Sequence, residues 1–153
     1  MNTQEYITEI CSLPSNQDAQ AIPSLCTANH FVWKAALKFA SEHSLPVLLE
    51  ATCNQVNQEG GYTGMRPKDF AAQAQRFAAD FGLAPEDLLI GGDHLGPNPW
   101  RSKAPVTAMV HAEALVREAV AAGYTKIHLD ASMPLGKEQE TGKLLFDTIA
   151  TRQ

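Results

Sequence analysis

Along the chain, short apolar runs alternate with longer stretches whose apolar positions recur at helical spacing, and this order predicts βα units around a parallel sheet. Strands are expected at residues 21–27, 47–52, 88–93 and 126–130. A first helix is expected over 29–43, with Val32, Ala35, Ala36 and Phe39 on its apolar face. A second opens at Pro67, as proline does at a first helical position, and buries Phe70, Ala74, Phe77 and Phe81. A third covers 105–122, and a last helical stretch lies near 141–151. Gly82 and Gly123 stand where a left-handed residue closes the second and third helices. Four βα units can be counted, giving a polar leader over 1–19 and one partial (β/α) barrel domain over 20–153.

Side chains alternate across a strand, so in a barrel one parity meets the outer helices and the other enters the lumen. In the second strand Leu49 and Ala51 oppose Glu50, Thr52 and Asn54; in the fourth, Ile127 and Leu129 oppose His128 and Asp130. The apolar parity is expected to face the helices, which aims Glu50, Thr52, His128 and Asp130 at the lumen near the carboxyl ends of the strands. Active sites of such folds lie there. The same pattern also fits a half-exposed sheet whose polar parity meets water, and His128 also fits a core histidine with its ring satisfied.

The third strand runs into Gly91-Gly92-Asp93-His94-Leu95-Gly96-Pro97-Asn98, where glycines let the backbone bend and Asp93 and His94 emerge at the rim. An imidazole can ligate a divalent metal, and a neighbouring carboxylate can move a proton on a substrate polarised by it. A loop aspartate capping a turn has the same spacing. The 53–66 loop is rich in amides and glycines, with Asn54, Gln55, Asn57 and Gln58 suited to sugar hydroxyls or a phosphate. Its length favours function over simple connection, although a surface loop shares its composition.

Composition changes this picture little. At 153 residues and 44% hydrophobic the chain suits a single core. A net charge of −5 with scattered Lys and Arg argues against a nucleic-acid partner. No basic segment followed by an apolar run opens the chain, and no apolar stretch approaches the roughly 20 residues that span a bilayer, so a cytoplasmic protein without a membrane partner is expected. Cys11, Cys26 and Cys53 form no C-x-x-C pair and read as reduced packing thiols. Neither a G-x-x-x-x-G-K-[ST] loop nor a G-x-G-x-x-G fingerprint is present, so no nucleotide cofactor is expected.

Four runs carry a resemblance: 49–52 continuing through Asn54-Gln55-Val56-Asn57-Gln58, then Gly60-Gly61-Tyr62-Thr63-Gly64-Met65, then 91–98, then Lys126-Ile127-His128-Leu129-Asp130-Ala131-Ser132-Met133. They resemble the GatZ/KbaZ family, the non-catalytic subunit of class II D-tagatose-1,6-bisphosphate aldolase, over about 22–133. The resemblance implies a (β/α)8 TIM-barrel-like fold, of which this chain has only the first four βα units. It implies a sugar-phosphate ligand and a class II aldolase catalytic subunit as partner, in galactitol, N-acetylgalactosamine or tagatose catabolism. Relatives act as metal-dependent 4-epimerases of ketose phosphates, and some members have been labelled tagatose-6-phosphate kinase, a label the missing phosphate loop does not support. Carried over, Asp93 is the expected acid/base, with Glu50 beside it as a second catalytic carboxylate, and His94 the ligand of zinc or a similar divalent metal. Asn54, Gln55, Asn57, Gln58, Asn98, Asp130 and Ser132 are the expected substrate contacts. The chain departs from the family at Arg66, where Thr would cap a helix, at His30, where proline is expected, and from Pro134 onward. Four βα units leave two open sheet edges, so a homodimer covering them, or an inactive truncated product, is a further expectation.

Overall fold

The structure, a computed structural model, describes residues 21–130 and 132–136 together with Thr8 and Ser12. The leader over 1–19, those two residues apart, and the helical stretch expected near 141–151 lie outside the described residues. Within them the order is β1 (Ser24–Cys26), α1 (His30–His43), β2 (Val47–Thr52), α2 (Pro67–Asp80), β3 (Leu88–Leu95), α3 (Pro105–Ala121) and β4 (Lys126–Leu129). The strands form one parallel sheet in the order β1-β2-β3-β4. This is the α/β architecture of successive βα units, with β1 and β4 at its edges. No described helix is long and apolar enough to cross a membrane.

Each helix starts where its sequence supplies a cap or a preset dihedral. Asn29 accepts from the N–H groups of Phe31 and Val32, so α1 begins at His30 without the proline expected there. Arg66 has no capping side chain to offer, and Asp69 compensates by accepting from the Arg66 N–H at 3.0 Å while Pro67 fixes the first turn. Gly82 at φ +69° and Gly123 at φ +89° follow α2 and α3 as expected.

The core lies between the helices and one face of the sheet. Val47, Leu49, Ala51 and Ile90 meet Phe70, Ala74 and Phe77 of α2 and Ala108, Leu115 and Ala119 of α3. The face of α1 differs from expectation: Trp33, Leu37 and Ala40 are buried, while Val32, Ala35 and Phe39 point outward and Ala36 is half-buried. The helix carries two apolar stripes, and the one with Trp33 removes more surface from water. The indole N–H then donates to the Thr27 carbonyl at 2.6 Å, and the ring packs edge-on against Phe70 at 4.8 Å. Strand lengths also differ. β1 keeps only the middle of the expected 21–27 run, β4 stops one residue early, and β3 continues to Leu95.

Candidate functional site

The opposite face of the sheet carries the polar parity in ordered layers. The register aligns Cys26, Glu50, Gly91 and Lys126 across the four strands, with Thr52 and Asp93 paired one step nearer the carboxyl rim. Glu50 is 2% exposed. It accepts from the Ser24 hydroxyl and, at 2.6 Å, from the Lys126 ammonium. The lysine reaches Glu50 across β3 because Gly91 lies between them without a side chain. A Cβ at Gly91 would sit 3.0 Å from Glu50 Cγ.

Above this layer the β3–β4 register shifts between Gly92 and Leu95, and His94 takes φ +51°. Strict alternation would turn Asp93 and His94 to opposite faces. The irregularity, of the kind a β-bulge produces, instead brings both onto one rim. His94 Nδ1 lies 3.0 Å from one Asp93 oxygen and His128 Nδ1 lies 2.8 Å from the other. The two imidazole centroids are 4.4 Å apart. Asp93 also receives the Cys26 thiol and has the Lys126 ammonium at 3.5 Å. Desolvation pushes the Asp93 carboxyl upward, but donors from His128, Cys26 and His94, with the His94 charge, outweigh it and hold the group well below the usual carboxylate range. Cys26 lies at the exposed sheet edge. Loss of water around its sulphur, then its hydrogen bond to Asp93 and the charges of Asp93 and Glu50, push its thiol up to about 12 despite Lys126.

The expected site residues divide accordingly. Asp93 and His94 come together with His128, which the sequence placed on the lumen parity without a role. Glu50 lies in the same site, buried beneath Ser24 and Lys126, which occupy its two oxygens. Asp130 sits beside the cluster. It accepts from the Ser132 hydroxyl at 2.6 Å and the Ser132 N–H at 2.8 Å, which lower its pKa, and the charges of His94 and His128 act in the same direction.

The amide-rich loop is largely occupied with itself. Gln55 accepts from the Thr52 N–H at 2.8 Å. Asn57, 4% exposed, donates to the Cys53 carbonyl and accepts from the N–H groups of Glu59 and Gly61. Gln58 donates to the His111 carbonyl of α3 at 2.9 Å. These contacts fasten the loop and engage the side-chain amides of Asn57 and Gln58 within the protein. Asn54 is exposed, and Asn98 keeps a buried side-chain oxygen without a partner. Sequence reasoning missed Lys126 and Cys26. Lys126 shares its parity with His128, and that was the available signal. Cys26 was read as packing, whereas its thiol faces a carboxylate.

Donor chemistry tests whether this cluster suits a divalent cation. Asp93, His94 and His128 each offer one ligand atom, all within 4.8 Å of one another. Two imidazole nitrogens and one carboxylate oxygen are the donors that zinc and its neighbours accept, and three protein ligands leave positions open for water or substrate. Both rings are solvent-accessible at the rim, with side-chain exposures of 55% and 44%. The residues fit.

The family described as D-tagatose-1,6-bisphosphate aldolase subunit GatZ/KbaZ-like matches residues 7–153. The chain is 54% identical over 131 residues to a D-tagatose 6-phosphate 4-epimerase of Agrobacterium fabrum, covering 86% of this chain and 30% of that protein. The crystal structure of a probable tagatose 6 phosphate kinase from Sinorhizobium meliloti 1021 superposes with a TM-score of 0.73 at 49% identity, over 76% of this chain and 30% of the other. The chain thus spans about 30% of the length of each relative. Matched along nearly its whole length and carrying the four runs that first suggested the family, the chain belongs to the GatZ/KbaZ-like family.

Proposed function

We infer that the chain carries the cation-holding segment of a ketose-phosphate barrel whose reaction is epimerisation of a tagatose 6-phosphate-type substrate at C4. The observation that carries this reading is the convergence of Asp93, His94 and His128 on one point at the carboxyl rim. The 54% identity to a 4-epimerase supports the choice of reaction. Asp93, His94 and His128 would hold the metal, and a bound divalent cation would polarise a substrate oxygen. Asp93, kept ionised by its donors, fits ligation of a cation. Asp130 and Ser132 flank the same point and offer polar contacts to sugar hydroxyls.

The chemistry links the two descriptions attached to this family. In a 2-ketose the hydrogen on C4 is not adjacent to the carbonyl, so direct deprotonation there gains no stabilisation. Removing the C4 hydroxyl proton, breaking C3–C4, turning the aldehyde and re-forming the bond inverts C4. An aldolase acting on a hexulose bisphosphate breaks that same bond. A second reading, support of a class II aldolase catalytic subunit, is favoured by the family description itself. Co-purification with such a subunit and a rise in its activity would support it.

The epimerase reading is tested by loading the chain with Mn2+ and recording 31P and 13C relaxation of tagatose 6-phosphate, alongside formation of fructose 6-phosphate. Enhanced relaxation with the wild-type chain, absent from Asp93→Ala/His94→Ala, is expected. Equal relaxation with both chains would overturn it.

A further inference from the structure

We propose that Lys126 is a positioning residue of the rim cluster: threaded past Gly91 onto Glu50, its ammonium holds Asp93 where the carboxylate and two imidazoles converge. The cation part of this rests on the metal reading above; the positioning part does not.

The construction is specific. Lys126 leaves β4 at the register position of Gly91, and Glu50 occupies the same position on the other side of β3. A Cβ at 91 would crowd Glu50 Cγ at 3.0 Å and Leu48 Cδ1 at 3.1 Å, so a side chain there would press on the anchor that the lysine reaches. Glu50 is almost fully buried and held on its other oxygen by Ser24, which makes it a fixed anchor. The ammonium binds that anchor at 2.6 Å and faces Asp93 Oδ1 at 3.5 Å. That same Oδ1 accepts from His128 at 2.8 Å. A surface lysine with a flexible stem could not fix a carboxylate. One tied to a buried, two-point anchor can, and the partners behind metal ligands set ligand orientation in just this way. Simple charge balance would leave a different signature, because removing the lysine and glutamate charges together leaves the net charge, and so the general attraction for a divalent ion, nearly unchanged.

Lys126→Met alone would strand the Glu50 charge, so the test uses Glu50→Gln/Lys126→Met, which removes both charges and keeps an acceptor for Ser24. Gly91→Ala keeps both charges and only narrows the gap, providing a second arm. Two readouts are taken on the full chain: the imidazole tautomers by 15N spectroscopy without metal, and Co2+ affinity by calorimetry with the cobalt absorption spectrum. In the wild-type chain His128 is expected as the Nδ1–H tautomer, donating to Asp93. Both variants should shift it toward Nε2–H and weaken Co2+ binding, by about 10- to 100-fold in the double variant and less in Gly91→Ala. Unchanged tautomers in both folded variants would overturn the positioning role. Retained tautomer shifts with unchanged Co2+ affinity would confine it to the metal-free chain and overturn the metal arm. Failure of the wild-type chain to bind Co2+ would instead overturn the cation reading, and the tautomer comparison would then decide the positioning role by itself.

Discussion

His94 is one of two described non-glycine residues with positive φ, and its conformation makes a prediction that separates strain from ligation. A left-handed backbone costs an L-residue about 1–2 kcal/mol, a penalty that glycine escapes. Glycine in turn gives up about 0.5–1 kcal/mol through the freedom it has in the unfolded chain. The ring's contact with Asp93 at 3.0 Å is 55% exposed on the histidine side and adds at most about 1 kcal/mol. His94→Ala therefore loses the contact and keeps the strain, whereas His94→Gly loses the same contact and releases it. The glycine variant should be the more stable of the two by about 0.5–1 kcal/mol, a shift of roughly 1–4 °C in Tm for a domain of this size. Urea and thermal unfolding with EDTA present, which removes any contribution from bound metal, measure the difference. If His94→Ala equals or exceeds His94→Gly in stability, the left-handed conformation at this position carries no strain.

Other perturbations follow from the same geometry. Gly96→Ala would place a Cβ 1.8 Å from the Asp130 carbonyl, forcing the β3 and β4 ends apart and straining the Asp130 N–H bond to Leu95. A loss of about 2–4 kcal/mol in urea unfolding is expected, combining overpacking with a weakened hydrogen bond. Gly61→Ala meets the Gln55 carbonyl at 2.3 Å at φ +54°, so it should expose the 53–66 loop to limited proteolysis while the sheet melts nearly as before. Asp93 has a folded pKa below its ordinary value of 3.8, so its contribution to stability is present above that value and is lost as pH falls through the folded pKa. The stability gap between wild type and Asp93→Asn should therefore be full at neutral pH and shrink below about pH 4; a gap that widens in acid would contradict the assignment. Phe70→Ala, removing a fully buried ring between Trp33 and Tyr124, should lower stability by about 3–5 kcal/mol.

Much of the architecture is legible because local signals agree. β2 occupies Val47–Thr52 as read, and its parity correctly sends Leu49 and Ala51 to the core and Glu50 to the other face. Pro67 and Gly82 bracket α2 for reasons of backbone geometry alone. The buried face of the first helix is ambiguous in the sequence because both stripes are apolar, and only the surrounding packing selects Trp33. The site was half legible. Asp93 and His94 stand out as a pair, but alternation cannot predict that a register shift brings both to one rim with His128. Lys126 is hidden for a different reason: parity places it on the face of His128, but its reach to Glu50 depends on an empty position in the strand between them, 35 residues earlier in the chain than the lysine. The loop amides are less legible, because composition cannot tell a side chain free to meet a ligand from one that satisfies its own backbone.

The central claim is that the rim cluster binds one divalent cation, and metal analysis of the purified chain tests it most directly. After reconstitution with Zn2+ and removal of excess metal, the wild-type chain should retain about one equivalent, and Asp93→Ala/His94→Ala should retain essentially none. Stoichiometric metal in the folded double variant, or none in the wild-type chain, would contradict the account.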